Sequence, residues 1–183
     1  MVTQGLRPLP DPKATLSILD GPILRMPHRV NTDQIYPGKY LSVRSHEEMA
    51  KHVFENLDPA IRSKIKPGTI LVAGRNFGCG SSRSQAVTGL KYAGIAAIVA
   101  VSFARLYFRN CINQGVPVIV CPEAYELLQE DKIARIDLVG GSIRSGELNI
   151  RFTPLPDFLL EILSRGGLVH YTHDRLRRER EGG

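Results

Sequence analysis

The stretch richest in chemical groups is Asn76-Phe77-Gly78-Cys79-Gly80-Ser81-Ser82-Arg83, a glycine- and serine-rich loop between an apolar run and a helix-forming segment. A loop that opens onto a helix N-terminus offers unpaired backbone N–H groups and the positive end of the helix dipole, and both favour an anion. Gly78 and Gly80 permit positive φ and close backbone approach, Ser81 and Ser82 supply hydroxyls, and Arg83 supplies a planar fork matched to a carboxylate or phosphate. These residues predict an oxyanion site; the plainer alternative is a glycine-rich turn with Ser82 capping the helix. The loop lacks the Gly-Lys-Ser/Thr of a nucleotide P-loop. Arg83 stands where a dinucleotide-binding loop would have its third glycine.

A second polar cluster, Arg29-Val30-Asn31-Thr32-Asp33-Gln34-Ile35-Tyr36-Pro37-Gly38-Lys39-Tyr40-Leu41, precedes it. Taken alone, Asn31, Thr32 and Asp33 read as a turn or a helix cap. The three cysteines, Cys79, Cys111 and Cys121, are an odd number, widely spaced and without a CxxC pair. They predict neither a disulfide framework nor a self-sufficient metal site, and they suit a reducing cytoplasm. Cys79 reads as a small loop filler, Cys111 and Cys121 as core residues. His28, His46, His52, His170 and His173 are scattered without a zinc-binding spacing, so no metal is assigned to this chain.

The elements that must hold these groups follow from periodicity. Residues 1–13, with three prolines, read as an extended arm, and ATLSILDGPILRM (14–26) as two short strands around the turn dipeptide Asp20-Gly21. Met49, Val53 and Phe54 fall at helical spacing behind Ser45, a good N-cap. TILVAG (69–74), AAIVAV (96–101) and VPVIVC (116–121) are apolar strands, separated by helical segments at 82–94 and 103–115 that end at Gly94 and Gly115. That alternation predicts an α/β domain over 14–170 with a mainly parallel sheet flanked by helices. A short helix (123–130), an edge hairpin of IARIDLV and ELNIRF, and an amphipathic closing helix (157–167) complete it. Residues 171–183, including HDRLRRERE, read as a solvated basic tail.

The whole chain is 183 residues with 43% hydrophobic and 23% charged residues, which suits one ordinary globular domain and excludes disorder or a coiled coil for the bulk. No apolar run approaches the roughly 18–20 residues of a membrane span, and the N-terminus lacks the apolar core of a secretory signal. A net charge of +6 is compatible with nucleic acid, an anionic partner or an anionic substrate. Without an RNA- or DNA-binding signature, a non-catalytic nucleic-acid-binding protein is the distant reading.

NTDQI followed by PGKYL, then NFGCGSSR, then SFARLYFRNCINQGVPV, resembles the small subunit of the isopropylmalate isomerase and homoaconitase branch of the aconitase superfamily. That subunit is similar to the mobile swivel domain of single-chain aconitases, and the resemblance runs from about residue 23 to 165. It implies an aconitase-swivel-like fold and a small carboxylate substrate. It also implies a large partner subunit that holds a [4Fe–4S] cluster through its own cysteines, with this chain closing over it as a lid. The implied reaction is reversible dehydration and rehydration of a hydroxy di- or tricarboxylate, first of all isopropylmalate in leucine biosynthesis. Homoaconitase-type substrates, or maleate, citraconate or dimethylmalate, are the alternatives.

By the family's motif, Ser81 is the base, acting as an alkoxide, Ser82 and Arg83 hold a substrate carboxylate, and Asp33 orients a histidine of the large subunit. Substrate choice is implied in the loop after the Tyr40-Leu41 pair, at Ser42, Val43 and Arg44. Homoaconitase-type members have an arginine directly after that pair and isopropylmalate-type members have apolar groups. Ser42 and Val43 match neither cleanly, and Arg44 stands as a distal-carboxylate ligand or as an ordinary surface arginine. Ser84 departs from the acidic residue usual after the arginine of this loop.

Overall fold

The computed structural model describes residues 18–181. The arm expected at 1–13 lies outside them. Seven strands form one sheet: β1 (Ile18–Met26), β2 (Thr69–Ala73), β3 (Ile95–Ala100), β4 (Val118–Val120), β5 (Ile133–Asp137), β6 (Ser142–Ser145) and β7 (Leu148–Arg151), in the order β4-β3-β2-β1-β5-β6-β7. Pairing is parallel from β4 to β1 and antiparallel from β1 to β7. The sheet is therefore mixed in equal parts, not mainly parallel. The expected edge hairpin is a three-stranded meander, because SIRS (142–145) forms a strand of its own between the two predicted ones.

Asp20-Gly21 is not a turn. β1 runs unbroken through it, pairing Ile18–Pro22 with β5 on one side and Ile23–Met26 with β2 on the other. Glycine is required at 21 because a Cβ there would strike the carbonyl of Gly68. Close backbone approach, not reversal, explains this glycine.

The helices are α1 (Thr32–Ile35), α2 (His46–Lys51), α3 (Pro59–Lys64), α4 (Ser84–Ala93), α5 (Arg105–Asn113), α6 (Pro122–Leu127), α7 (Asp157–Ser164) and α8 (Leu168–Glu181). Ser45 caps α2 by accepting from the Glu48 N–H, and Gly94 ends α4 at φ 104°. The strand period of two sorts the core onto two faces. Leu71, Ala73, Ile98 and Ala100 pack with Val87 and Leu90 of α4 and Cys111 of α5. Ile70, Val72, Ala97 and Val99 pack on the other face with Cys121, Ala124 of α6 and Ile136 of β5. The segment read as a solvated basic tail is largely exposed and is helical: α8 starts at Leu168, so the expected boundary at 170/171 falls inside a helix. Its charges are partly paired at home, Arg165 with Asp174 at 2.7 Å and Arg175 with Glu179 at 3.0 Å.

What positions the site is the register of the parallel strands. Met26, Ala73 and Ala100 lie opposite one another at the C-terminal ends of β1, β2 and β3, so three loops leave the sheet from one row. That end of an open parallel sheet is where α/β folds place their ligands.

Candidate active site

The pairing does not stop where the strands do. Gly78 N–H donates to the Val30 carbonyl and Thr32 N–H to the Cys79 carbonyl, each at 2.8 Å, with an isolated parallel bridge between Asn31 and Cys79. Phe77 bridges to Phe103, its N–H donating to Ser102 O at 3.0 Å while its carbonyl accepts from Ala104 N–H at 2.9 Å. The two sequence clusters, some fifty positions apart, are thus laced into one platform with the start of α5.

Gly78 makes that lacing possible. Its φ is 75°, and a Cβ would run into the ring of Tyr107, which is 2% exposed and packs edge-on to Phe77 with centroids 5.6 Å apart. The Tyr107 hydroxyl is buried without a hydrogen-bond partner among the described residues. The Cys111 thiol lies beside it but is a weak partner, and burial pushes the phenol's pKa well up.

Asn31, read as a turn or cap residue, is the N-cap of α1. Its side chain accepts from Gln34 N–H at 2.8 Å and the Gln34 side chain accepts from Asn31 N–H at 2.9 Å, a complete capping box. The box fixes Asp33 in the first turn, aimed at the loop. Asp33 Oδ1 accepts from Arg83 Nη1 at 2.6 Å and from Gly38 N–H at 2.9 Å, and Oδ2 accepts from Asn56 Nδ2 at 3.1 Å. The Arg83 bond, then the Gly38 N–H, hold the Asp33 carboxyl below its ordinary pKa, with modest opposition from burial. Gly38 is glycine for a reason: a Cβ would lie 3.3 Å from both Asp33 Oδ1 and Arg83 Nη1.

Ser81 is secured through its main chain, its carbonyl accepting from Thr32 Oγ1 at 2.8 Å. Ser82 is not the helix cap. Arg83 occupies the N-cap position of α4 and makes no side-chain capping bond, so the first turn keeps its N–H groups free of a cap. The nearest partner of the Ser82 hydroxyl is Asn110 Nδ2 of α5 at 3.5 Å. Thr32, Gly80, Ser81, Ser82, Arg83 and Asn110 line a cleft of about 190 Å³, with Arg105, Leu106 and Tyr107 of α5 forming its other side. The cleft therefore has two serine hydroxyls, a tethered guanidinium and an uncapped helix end on one wall. Groups of this kind can receive a carboxylate.

Ser42, Val43 and Arg44 lie outside that lining. Val43 packs against the interior cluster, with its N–H donating to Tyr40 O at 3.0 Å, whereas Ser42 and Arg44 are exposed. Asn56 and Asn110 contact the predicted residues directly, yet neither is marked in the sequence as more than one asparagine among others. Asn110 at least falls in the third motif, SFARLYFRN.

The cysteines do not form a cluster cradle. Cys111 and Cys121 are buried on opposite faces of the sheet, and Cys79 sits in the loop with its thiol 3.5 Å from Arg29 O. Among the described residues no group of three or more histidines, cysteines or acids is placed to hold a metal ion. No helix among them is long and apolar enough to cross a membrane.

Residues 25–124 match the aconitase C-terminal domain family. The chain is 47% identical to 3-isopropylmalate dehydratase small subunit 1 of Methanopyrus kandleri over 76% of its own length and 84% of the relative's. It is 40% identical to the 3-isopropylmalate dehydratase small subunit of Nautilia profundicola over 88% and 98%, respectively. The chain belongs to the 3-isopropylmalate dehydratase small-subunit family. A crystal structure of 3-isopropylmalate dehydratase from Methanocaldococcus jannaschii superposes with a TM-score of 0.86 at 38% identity, covering 91% of this chain and 99% of that one. The aconitase-swivel-like fold expected from the motifs is the fold observed, and its three-loop platform lies within the matched residues.

Proposed function

We propose that this chain is the lid subunit of a cytoplasmic hydro-lyase acting on 3-isopropylmalate. A large subunit carrying a [4Fe–4S] cluster completes the enzyme. The observation that carries the reading is the arrangement on one cleft wall: Ser81 and Ser82 beside the uncapped end of α4, with Arg83 fixed by Asp33 at 2.6 Å. In this reading Arg83 and Ser82 take a substrate carboxylate, setting the adjacent C–H against the Ser81 oxygen. Ser81, as an alkoxide, removes that proton; the electron pair forms the double bond as the hydroxyl on the neighbouring carbon departs. Lewis-acid help to that hydroxyl belongs to the large subunit.

A serine alkoxide is a strong base that water would quench. The nearby guanidinium and helix-end N–H groups are what lower its cost, and closure against a partner would exclude solvent. Asp33 holds Arg83 within this chain, and its side chain, 51% exposed with Oδ2 accepting a single bond from Asn56, keeps an acceptor site for a histidine of the large subunit. Exposed Arg44 keeps a second reading in view, a substrate with an extra distal carboxylate.

The test is reconstitution with a cluster-loaded large subunit, following the unsaturated acid by its ultraviolet absorbance. The isolated chain is expected to be colourless and inactive. Ser81→Ala should lower turnover of the complex by about 10²–10⁴-fold with association unchanged. Near-wild-type turnover would make Ser81 a structural residue.

A further inference from the structure

Beside the cleft wall, two neighbouring side chains hold the 41–44 loop and the Asp33–Arg83 pair. Glu55 Oε1 accepts from Lys39 Nζ at 2.6 Å and from the Tyr40 hydroxyl at 3.1 Å. Its other oxygen lies 3.2 Å from His52 Nδ1, and the His52 ring stacks on Tyr40 with centroids 3.6 Å apart. Tyr40 is the residue from which the 41–44 loop departs, and its carbonyl accepts from both Val43 N–H and the Tyr36 hydroxyl at 3.0 Å. The next residue, Asn56, donates through Nδ2 to Asp33 Oδ2 at 3.1 Å and to Asp33 O at 3.3 Å. Glu55 thus fixes the root of one loop, and Asn56 fixes the carboxylate that holds Arg83.

The backbone shows that this placement is enforced. Phe54, immediately before the pair, has φ 62° and no solvent exposure. A bulky residue enters the left-handed region only where its surroundings over-determine it. Here its N–H donates to Ile35 O, and its carbonyl accepts from Leu57 and Asp58 N–H groups, all at 2.9 Å. The Ile35 bond ties this turn to α1, the helix that carries Asp33.

We infer that Glu55 and Asn56 are positioning residues that divide the work of substrate recognition: Glu55 sets the loop bearing Ser42, Val43 and Arg44, and Asn56 sets the Asp33–Arg83 pair. The inference rests on the hydro-lyase reading for its kinetic consequences but not for its structural ones. Glu55 governs discrimination between side groups of the substrate. Asn56 governs the grip on the carboxylate that every substrate shares.

The experiment compares Glu55→Ala, Glu55→Gln and Asn56→Ala by two readouts. In the reconstituted complex, kcat and KM are measured for hydroxy acids bearing an alkyl or a carboxylate branch. Glu55→Ala should shrink the kcat/KM ratio between the two classes by about three- to tenfold, as expected for losing hydrogen bonds of ordinary net strength that solvent partly screens. Glu55→Gln keeps an acceptor oxygen and should recover most of that ratio. Asn56→Ala should raise KM for both classes alike and leave the ratio unchanged.

In the isolated chain, amide hydrogen exchange should quicken at Leu41 and Val43 in Glu55→Ala, and at Gly38 in Asn56→Ala. Exchange needs no turnover: an inactive wild-type complex would sink the hydro-lyase reading and leave exchange to judge the clamp. An unchanged ratio with unchanged exchange at Leu41 and Val43 overturns the inference. So does an equal loss in Glu55→Gln and Glu55→Ala, because charge alone would then account for it.

Discussion

The sharpest question about the cleft is whether Asp33 acts through Arg83. Asp33→Ala removes three accepted bonds at once, from Arg83 at 2.6 Å, Gly38 N–H at 2.9 Å and Asn56 at 3.1 Å. The Arg83 and Asp33 side chains are 23% and 51% exposed, so water screens the pair and its direct contribution is about 0.2–1 kcal/mol. Freed from its tether, the guanidinium also regains up to about 2 kcal/mol of rotamer entropy that must be lost again when a carboxylate binds. Together these predict about 1–3 kcal/mol of lost transition-state binding, or roughly five- to 150-fold in kcat/KM. Asp33→Asn retains an acceptor oxygen and should fall between wild type and alanine.

The assay is a double-mutant cycle in the reconstituted complex, Asp33→Ala and Arg83→Ala singly and together. If Asp33 works by holding Arg83, its loss costs almost nothing once Arg83 is gone, and the coupling energy nearly equals the single-mutant effect. Additive losses would refute this, since Asp33 would then serve a partner other than Arg83.

Three further outcomes follow from the same geometry. Arg83→Lys should damage all hydroxy-acid substrates together, because an ammonium lacks the fork, whereas Arg44→Ala should reduce kcat/KM only for substrates with a distal carboxylate; equal losses on every substrate for Arg44→Ala would remove the 42–44 loop from substrate choice. The folded-state pKa of Asp33 lies below the free-carboxyl value of 3.8, so the stability that its bonds contribute is fully present above that value and is lost as pH falls through the depressed one; the Gly38 amide resonance should therefore hold steady from neutral pH to about 5 and move only below 3.8. Iodoacetamide under native conditions should label Cys79 well before Cys111 and Cys121, which are buried and whose thiol pKa values burial raises, as peptide mass spectrometry would show.

Motif and period made the parallel half of the sheet legible, because TILVAG and AAIVAV are buried on both faces, VPVIVC is buried except for Val120, and clear stop signals at Gly94 and Gly115 end the segments between them. The antiparallel half was less so. SIRS has one apolar residue among polar ones and becomes a strand only because β5 and β7 pair with it on either side. Gly21 misled for a similar reason: a glycine after aspartate signals a turn locally, but its actual constraint is the Gly68 carbonyl across the sheet. Local rules cannot register a contact 47 positions away. Within the site, Ser81, Ser82, Arg83 and Asp33 were legible as residue types in motifs. The bond between Arg83 and Asp33 was not, since nothing in either motif states that the loops meet.

Their meeting follows from register. Because Met26, Ala73 and Ala100 share a row, the loops after β1 and β2 start side by side, and the bridges at Asn31–Cys79 and Phe77–Phe103 carry the ladder into the platform. Cys79 therefore stands on an extension of the sheet itself, and Ser81, two residues on, is tied to it through Thr32, a rigidity that the proposed proton abstraction would need. The 42–44 stretch stands apart, joined to the platform through Tyr40 and the Glu55 clamp and not through the ladder. Separate attachment lets residues at 42–44 change without moving Ser81 or Arg83. A single substitution tests that separation: Tyr40→Phe deletes the hydroxyl that bonds Glu55 at 3.1 Å but keeps the ring stacked on His52. It should alter the preference among hydroxy acids by about two- to tenfold while the Arg83–Asp33 pair persists. Loss of turnover on every substrate alike, with the fold intact by circular dichroism, would show that the two parts move together.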